Sequence, residues 1–243
     1  MVLSKIKEII DFIYPQFCKS CNKRLEIDEE CFCSTCFNKI EVIHPPYCSI
    51  CGISYPQADE NFICGHCLNE KSKGKLIFRA IGKYDGVLKE AIHIFKYKKR
   101  KKLGMILAKF FIKNALENEE IKRNIILTSD AIIPVPLHKS RLREREYNQS
   151  EILANELSKY TGLPVVPNWL VRVKHTLPQS TLSKEQRERN VKGVFSVKQN
   201  MNIKRIILVD DIITTGATAK ECANVLFSVG VEEIKVLALS RAM

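Results

Sequence analysis

Nine of the ten cysteines lie between Cys18 and Cys67, and eight of them form four Cys-x-x-Cys pairs: Cys18 with Cys21, Cys33 with Cys36, Cys48 with Cys51 and Cys64 with Cys67. Eleven residues separate the first two pairs and twelve the last two, while Cys18 and Cys48 stand thirty positions apart. The segment is therefore an internal repeat of pair, short hairpin, pair. A two-residue gap lets both thiolates turn toward one cation, and two such knuckles close a tetrahedral Zn²⁺ site with bonds of about 2.3 Å. The spacing predicts two structural zinc ions held by these eight cysteines. It leaves open whether consecutive or interleaved pairs share an ion. A closed Cys₄ site has no position for substrate, so catalysis by zinc is not expected. Cys31 is left over, and His66 is expected as an exposed side chain rather than a substitute ligand.

Residues 1–17 lack the uninterrupted apolar stretch and small-residue cleavage site of a secretory signal, which predicts a cytoplasmic protein whose clustered thiols bind metal rather than oxidise. Leu3, Ile6, Ile9, Ile10 and Ile13 fall at helical spacing and predict an opening amphipathic helix. Docking onto the fold is its expected use; the other is a peripheral anchor at the inner face of the membrane. No run approaches the roughly eighteen apolar residues of a membrane span. The 243 residues suffice for about one to two domains, and the polar stretch from Asn69 to Lys75 divides them into 1–72, helix and double zinc ribbon, and 73–243. A net charge of +12 points to polyanionic partners such as nucleic acid or phosphorylated metabolites.

Beyond the boundary, β-rich and helical runs alternate. Strands are expected at Leu76–Tyr84, Asp130–Val135, Arg205–Val209 and Glu233–Leu239, with short extended pieces near Pro164–Val173 and Gly193–Val197. Helices are expected at Val87–Tyr97, Leu103–Leu116, Gln149–Tyr160 and Ala217–Val229. This alternation predicts an α/β fold with a parallel sheet flanked by helices, whose ligands gather at the carboxyl ends of the strands.

The run from Ile206 to Val209 ends in Asp210 and Asp211, followed by Thr214, Thr215, Gly216, Ala217 and Thr218 at the start of a helix. Carboxylates at a strand end can accept hydrogen bonds from vicinal sugar hydroxyls and sit near Mg²⁺. Hydroxyls and backbone N–H groups at a helix N-terminus can hold a phosphate. A ribose 5-phosphate satisfies both ends. The string resembles the 5-phosphoribosyl 1-diphosphate (PRPP) motif of the type I phosphoribosyltransferases. The resemblance implies that Asp210 and Asp211 hold the ribose hydroxyls, that Thr214–Thr218 bind the 5′-phosphate, and that Mg²⁺ accompanies PRPP.

Three basic stretches precede this motif. Lys96–Lys102 has six cations in seven residues and includes Tyr97; Lys139–Arg145 carries Arg141, Arg143 and Arg145; Arg172–Lys192 includes Arg187 and is long and polar. The first suits phosphate or single-strand contact. The second reads as an arginine-rich loop, after a strand that ends in prolines, able to grip pyrophosphate. The third reads as a mobile lid. No general base or nucleophile stands out; His93, His138 and His175 are expected to be local hydrogen-bonders.

The cysteine repeat, Phe95-Lys96-Tyr97, Pro134-Val-Pro-Leu137, Arg145-Glu-Tyr-Asn-Gln149, Thr176-x-x-Gln179-x-x-Leu182, Arg187-x-x-Asn190, Phe195 and the aspartate motif occur in one order. In this order they resemble the ComF family of competence proteins, from about Cys18 to the C-terminus. One departure stands out: Glu146 takes a position where that pattern has glycine. The resemblance implies a type I phosphoribosyltransferase-like domain behind the zinc ribbons. It also implies handling of incoming single-stranded DNA during natural transformation, beside a DNA-translocating helicase. A nucleobase phosphoribosyltransferase of salvage metabolism is the alternative, and whether the chain turns over a substrate stays open.

Overall fold

The computed structural model describes residues 15–26, 28–59, 61–69, 75–174, 176, 184–198 and 201–242. The opening amphipathic helix, the boundary between 72 and 73, His175 and most of the Thr176-to-Leu182 motif lie outside the described residues.

In chain order the elements are α1 (Ser34–Phe37), α2 (Gly65–Asn69), β1 (Lys75–Lys83), α3 (Gly86–Tyr97), α4 (Lys101–Glu117), α5 (Glu119–Ile121, running into a π-helical turn, Lys122–Ile126), β2 (Ala131–Pro134), α6 (Lys139–Arg145), α7 (Gln149–Thr161), β3 (Leu170–Arg172), α8 (Lys184–Val191), β4 (Phe195–Val197), β5 (Arg205–Ile213), α9 (Ala217–Ser228) and β6 (Glu233–Arg241). The main sheet has the order β1-β6-β5-β2 and every pairing in it is parallel. The strands β3 and β4 form a separate antiparallel pair.

Alternation along the strands gives the sheet two cores. Ile207 and Val209 of β5 face one, with Leu88, Phe95, Leu107, Phe111 and Leu153 from α3, α4 and α7. Ile206 and Leu208 face the other, with Trp169, Phe195 and the Cys222, Ala223 and Leu226 stripe of α9. Burial on both faces is what parallel strands require, and it explains why Ile206–Val209 of β5 reads as a continuous apolar run and Ile234–Leu239 of β6 as one broken only by the buried Lys235.

The three strands β1, β6 and β5 run in register over nine residues, but β2 pairs only from Ala131↔Ile206 to Pro134↔Val209. Beyond Val209, β5 keeps β6 as neighbour and loses β2. The expected strand end at Val209 is thus the end of one pairing only; β5 itself continues through both aspartates to Ile213, paired with Arg241. A second difference concerns Lys139–Arg145, expected as a loop. It is the helix α6, capped by His138, whose Nδ1 accepts from the Ser140 N–H at 3.3 Å. The pattern hid it because a seven-residue helix with no buried residue carries no apolar stripe.

The zinc ribbons close the exposed edge of β1. The segment between them adds to that edge through Ile43 N–H to Ile81 O (2.7 Å) and Lys83 N–H to Glu41 O (2.9 Å). An otherwise unpaired strand edge is covered. Cys18, Phe32, Cys33 and Cys36 of the first ribbon are buried in the same core as α3 and α4, with Phe37 edge-on to Phe110. The second ribbon is tied to the sheet by polar groups: Phe78 N–H donates to Ile50 O (2.8 Å), Arg79 to Ser49 O (3.0 Å) and Arg241 to Cys51 O (2.6 Å). Arg79 also holds Glu120 through two bonds, of 3.0 and 2.9 Å, and lies 4.6 Å over the Tyr47 ring.

At Gly52 the backbone is left-handed (φ +71°), and a Cβ would lie 2.4 Å from Phe78 O. Gly52→Ala therefore combines backbone strain with a backbone clash, and should cost about 2–4 kcal/mol. The expected reading is a thermal midpoint lowered by roughly 5–15 °C; an unchanged midpoint would show that the ribbon does not seat this closely.

Candidate functional site

Beyond the end of β2, successive residues of β5 place two carboxylates on opposite sides of the sheet. Asp211 turns toward α3, where its Oδ1 meets Lys96 Nζ at 2.9 Å. Asp210 takes the other face, within the field of Cys222 and Arg172, and its Oδ1 accepts from Ser150 Oγ (3.3 Å), at the first turn of α7, and from the Asp211 N–H (2.8 Å). Burial, followed by repulsion from Asp211, pushes the Asp210 carboxyl up to about 7, against the pull of Lys96. A group with that value exchanges its proton at neutral pH, and a donor or cation that joins it favours the anion.

Four residues on, the turn Thr214-Thr215-Gly216 opens α9. Gly216 has φ +77° as the N-cap, and a Cβ there would come 3.3 Å from the Phe78 ring. Thr215 Oγ1 accepts from the Ala217 N–H at 3.3 Å. Thr214, Thr215 and Thr218 are half-buried and Ala217 is buried. A twelve-residue helix presents the positive end of its dipole at this turn. The carboxylates and the turn thus offer hydroxyl acceptors and an anion cradle within one strand-turn-helix unit.

Arginines complete the surroundings. Arg172 lies 5.5 Å over the Phe195 ring and bonds to Thr176 Oγ1. Burial, the largest influence, lowers its pKa; the charge of Asp210 supports it while Arg141 and Arg145 oppose it, so the four groups share one electrostatic neighbourhood. Arg145 lies 5.0 Å over the Tyr97 ring and donates to Gln149 Oε1 at 3.1 Å. The buried Nε atoms of Arg145 and Arg172 have no hydrogen-bond partner among the described residues. Unpaired buried donors are costly, and an anion is the group that would satisfy them. Arg143 is exposed, and Arg141 is engaged with Glu144 (2.8 Å). Arg187 belongs to α8, but its side chain lies outside the described residues.

The ribbons contain two metal centres. The Sγ atoms of Cys18, Cys21, Cys33 and Cys36 lie within 4.8 Å of one another, as do those of Cys48, Cys51, Cys64 and Cys67. Consecutive pairs, not interleaved ones, share a site. Cys21–Cys33 and Cys51–Cys64 are separated by 3.6 and 3.8 Å, and a tetrahedron with arms of about 2.3 Å has edges of about 3.8 Å. Both sites prepare one thiolate in the same way. Burial opposes it, yet the N–H groups of Cys33, Cys21 and Ser20 bring Cys18 down to about 6. Those of Cys64, Cys51 and Ile50 do the same for Cys48. His66 is exposed and outside the cluster, and Cys31 stands apart with a left-handed backbone (φ +64°).

A family model described as a Double zinc ribbon domain matches residues 9–68. Competence protein F of Haemophilus influenzae is 38% identical over 186 residues, which are 74% of this chain and 78% of that protein. The chain belongs to the ComF family of competence proteins. The DNA utilization protein YhgH of Escherichia coli K12 is 27% identical over 77% of this chain and 82% of its own length. Competence protein ComFC of Bacillus subtilis is 35% identical over 41% of this chain and 39% of its own. Similar solved structures include a purine phosphoribosyltransferase from Pyrococcus horikoshii (18% identity, 57% of this chain and 72% of that one, TM-score 0.33) and a hypoxanthine-guanine phosphoribosyltransferase from Bacillus anthracis (17% identity, 57% and 70%, TM-score 0.36).

The fold also accounts for the departure from the ComF pattern at Glu146. That residue caps α6 with φ +70°, the left-handed conformation in which glycine costs least, and its carboxylate pairs with Lys99. The left-handed cap is thus formed with a glutamate in the glycine's place. The residues that follow brace the site. Tyr147 Oη and Gln149 Nε2 both donate to Phe95 O, at 2.6 and 3.4 Å, and Asn148 Nδ2 donates to Val135 O at 3.0 Å. They lock the end of α3, and with it Lys96, against the end of β2. This bracing, and the bond from Ser150 to Asp210, escaped the sequence reading. The one available signal was the Asn148 N-cap, which places Ser150 in the first turn of α7.

Proposed function

We propose that the chain binds PRPP with Mg²⁺ and handles incoming single-stranded DNA during natural transformation, in the cytoplasm and beside a DNA-translocating helicase. The observation that carries the ligand reading is the pairing of Asp210 and Asp211, past the end of β2, with the helix-opening turn Thr214–Thr218. In this reading the carboxylates accept the ribose 2′- and 3′-hydroxyls, the turn holds the 5′-phosphate, and Arg145 and Arg172 offer their unpaired Nε donors to the diphosphate. Oxygen ligands of this kind also suit Mg²⁺, which supplies positive charge to the diphosphate. The DNA reading is supported by the net charge of +12 and by the relatives named for competence and DNA utilization. Among the described residues no helix is long and apolar enough to cross a membrane.

Titration calorimetry with PRPP and Mg²⁺ tests the ligand reading: saturable one-to-one heat is expected, and none at PRPP concentrations up to about 1 mM would remove it. A parallel assay for released pyrophosphate separates the alternatives. Release upon adding a free nucleobase would favour a salvage transferase, whereas binding without release would make the ligand a regulator of the DNA-handling role.

A further inference from the structure

The cations around the aspartate pair continue outward in a row that reaches the first zinc ribbon. Starting at the ribbon, Glu30 is paired with Arg100 (3.6 Å) and Lys102 (3.5 Å). Next, Lys99 is paired with Glu146, and Lys101 Nζ lies 5.9 Å from the centre of the Tyr147 ring. Arg145 follows, stacked over Tyr97, whose ring has His93 as a second neighbour at 4.9 Å. Arg172 then lies within the fields of both Asp210 and Arg141, and Lys96 holds Asp211. Lys98, Lys99, Arg100, Lys101 and Lys102 are all exposed, and Tyr97 is 42% exposed. Among the described residues Glu30 and Glu146 are the acids paired with Lys99, Arg100 and Lys102, so Lys98–Lys102 keep a surplus of positive charge, while nearer the strand end Glu144, Asp210 and Asp211 offset part of the charge of Arg141, Arg172 and Lys96.

A row of cations with an aromatic-guanidinium stack part-way along it matches the chemistry of a single strand, which offers regularly repeated phosphates and unpaired bases. We propose that this row is a track for single-stranded nucleic acid whose inner end overlaps the phosphoribosyl site, so that a bound strand and PRPP weaken each other's binding. The proposal rests on the PRPP reading for its inner end alone. There the same few donors, Lys96, Arg145 and Arg172, serve either anion. A diphosphate placed among them takes their hydrogen bonds and repels the next phosphate of a strand. By linkage the antagonism is reciprocal.

The test uses labelled oligothymidine and fluorescence anisotropy across a range of salt, with the full-length, zinc-loaded protein. The variant Lys99→Ala/Arg100→Ala/Lys102→Ala removes outer cations that do not touch the aspartates. It should bind the strand at least about tenfold more weakly at low salt, with a log–log salt slope shallower by roughly 2, since each lost single-strand phosphate contact contributes about 0.7. Its calorimetric affinity for PRPP should be unchanged, and that result also reports on folding. The variant Lys99→Arg/Lys102→Arg keeps the charges and should keep strand affinity. In the unaltered protein, saturating PRPP with Mg²⁺ should weaken strand binding at least about fivefold beyond a matched ionic-strength control. Unchanged strand affinity in the alanine variant would overturn the track. PRPP heat together with strand affinity indifferent to PRPP would overturn the overlap alone. Absence of any PRPP heat would remove the ligand reading and the overlap together, leaving the salt slope as the test of the track.

Discussion

Asp210→Asn with Asp211→Asn should lower the affinity for PRPP with Mg²⁺ at least about 100-fold while leaving the protein folded with both zinc ions. Hydrogen bonds to a charged acceptor contribute about 1.5–3 kcal/mol each, and two of them amount to two or more decades in affinity. The variants separate stability from binding. Asp210 is held up near 7 by burial and by its neighbour, so a neutral amide there removes an unfavourable charge. Asn at 211 has the opposite effect, because it leaves Lys96 without its partner at 2.9 Å. The double variant should therefore melt close to the parent. Calorimetric affinity within threefold of the parent would mean that the ligand does not meet these carboxylates.

The raised Asp210 value also fixes the sign of a pH effect. A carboxyl with a value of about 7 is mostly protonated at pH 6 and mostly ionised at pH 8, whereas acceptance of two sugar hydroxyls and proximity to Mg²⁺ favour the anion. PRPP affinity should rise by up to about tenfold between pH 6 and pH 8, and binding near neutrality should release protons. Calorimetry in buffers of different ionisation enthalpy measures that release directly. In Asp210→Asn the proton release should disappear. Binding that weakens as pH rises would contradict this account.

How much of this could be read from the chain alone differs from element to element, for physical reasons. Elements with strong periodicity were legible: the expected span at Arg205–Val209 is the first half of β5, and Gln149–Tyr160 is α7 to within a residue. The two zinc sites were legible in ligands and number, since a Cys-x-x-Cys spacing has few other uses; the choice of consecutive pairs needed the hairpins to be folded. The aspartates were legible as chemistry, but not as members of a continuing strand, whose two-residue period turns them to opposite faces. That β2 stops at Pro134 and leaves β5 without a neighbour on that edge is a difference between two strands that no single motif records. The partners of those carboxylates were hidden for a related reason. Lys96 and Ser150 lie 115 and 60 positions away from Asp211 and Asp210, and each arrives by way of helix packing. Glu146 shows the reverse case. The sequence flagged a missing glycine correctly, but not that an ion pair with Lys99 would accompany the left-handed turn.

Loss of the second zinc ion should be the most damaging change to the fold. Structural zinc in a Cys₄ site contributes apparent binding energies of about 10–16 kcal/mol, comparable with or larger than the roughly 5–15 kcal/mol that holds a typical domain together. The second ribbon can compensate for little of this, because its buried cluster consists mainly of Cys48, Cys64 and Cys67 themselves. The damage should not stay local. Arg241 is buried at the end of β6 with its Nη1 on Cys51 O, burial lowers its pKa, and the thiolates of Cys51, Cys67, Cys48 and Cys64 support its charge. Without the ribbon this guanidinium loses both its acceptor and its counter-charge, and the Phe78 N–H of β1 loses Ile50 O. Phe78 in turn lies against Gly216 at the phosphate-type turn, so disorder at the ribbon reaches the candidate site through one side chain. Cys48→Ser should therefore retain about one zinc per chain by elemental analysis, melt at least about 10 °C below the parent, and bind PRPP more weakly although no residue of the aspartate motif has changed. Cys21→Ser should also cost one zinc, but with a smaller effect on PRPP. Its ribbon packs on α3 and α4 rather than on Phe78, and the bonds from Tyr147 and Gln149 to Phe95 O still hold the Lys96 end of α3. Equal losses of PRPP affinity in the two variants would refute the route through β1, and a parent-like melt for Cys48→Ser would show that the second ribbon is held by its protein contacts rather than by its metal.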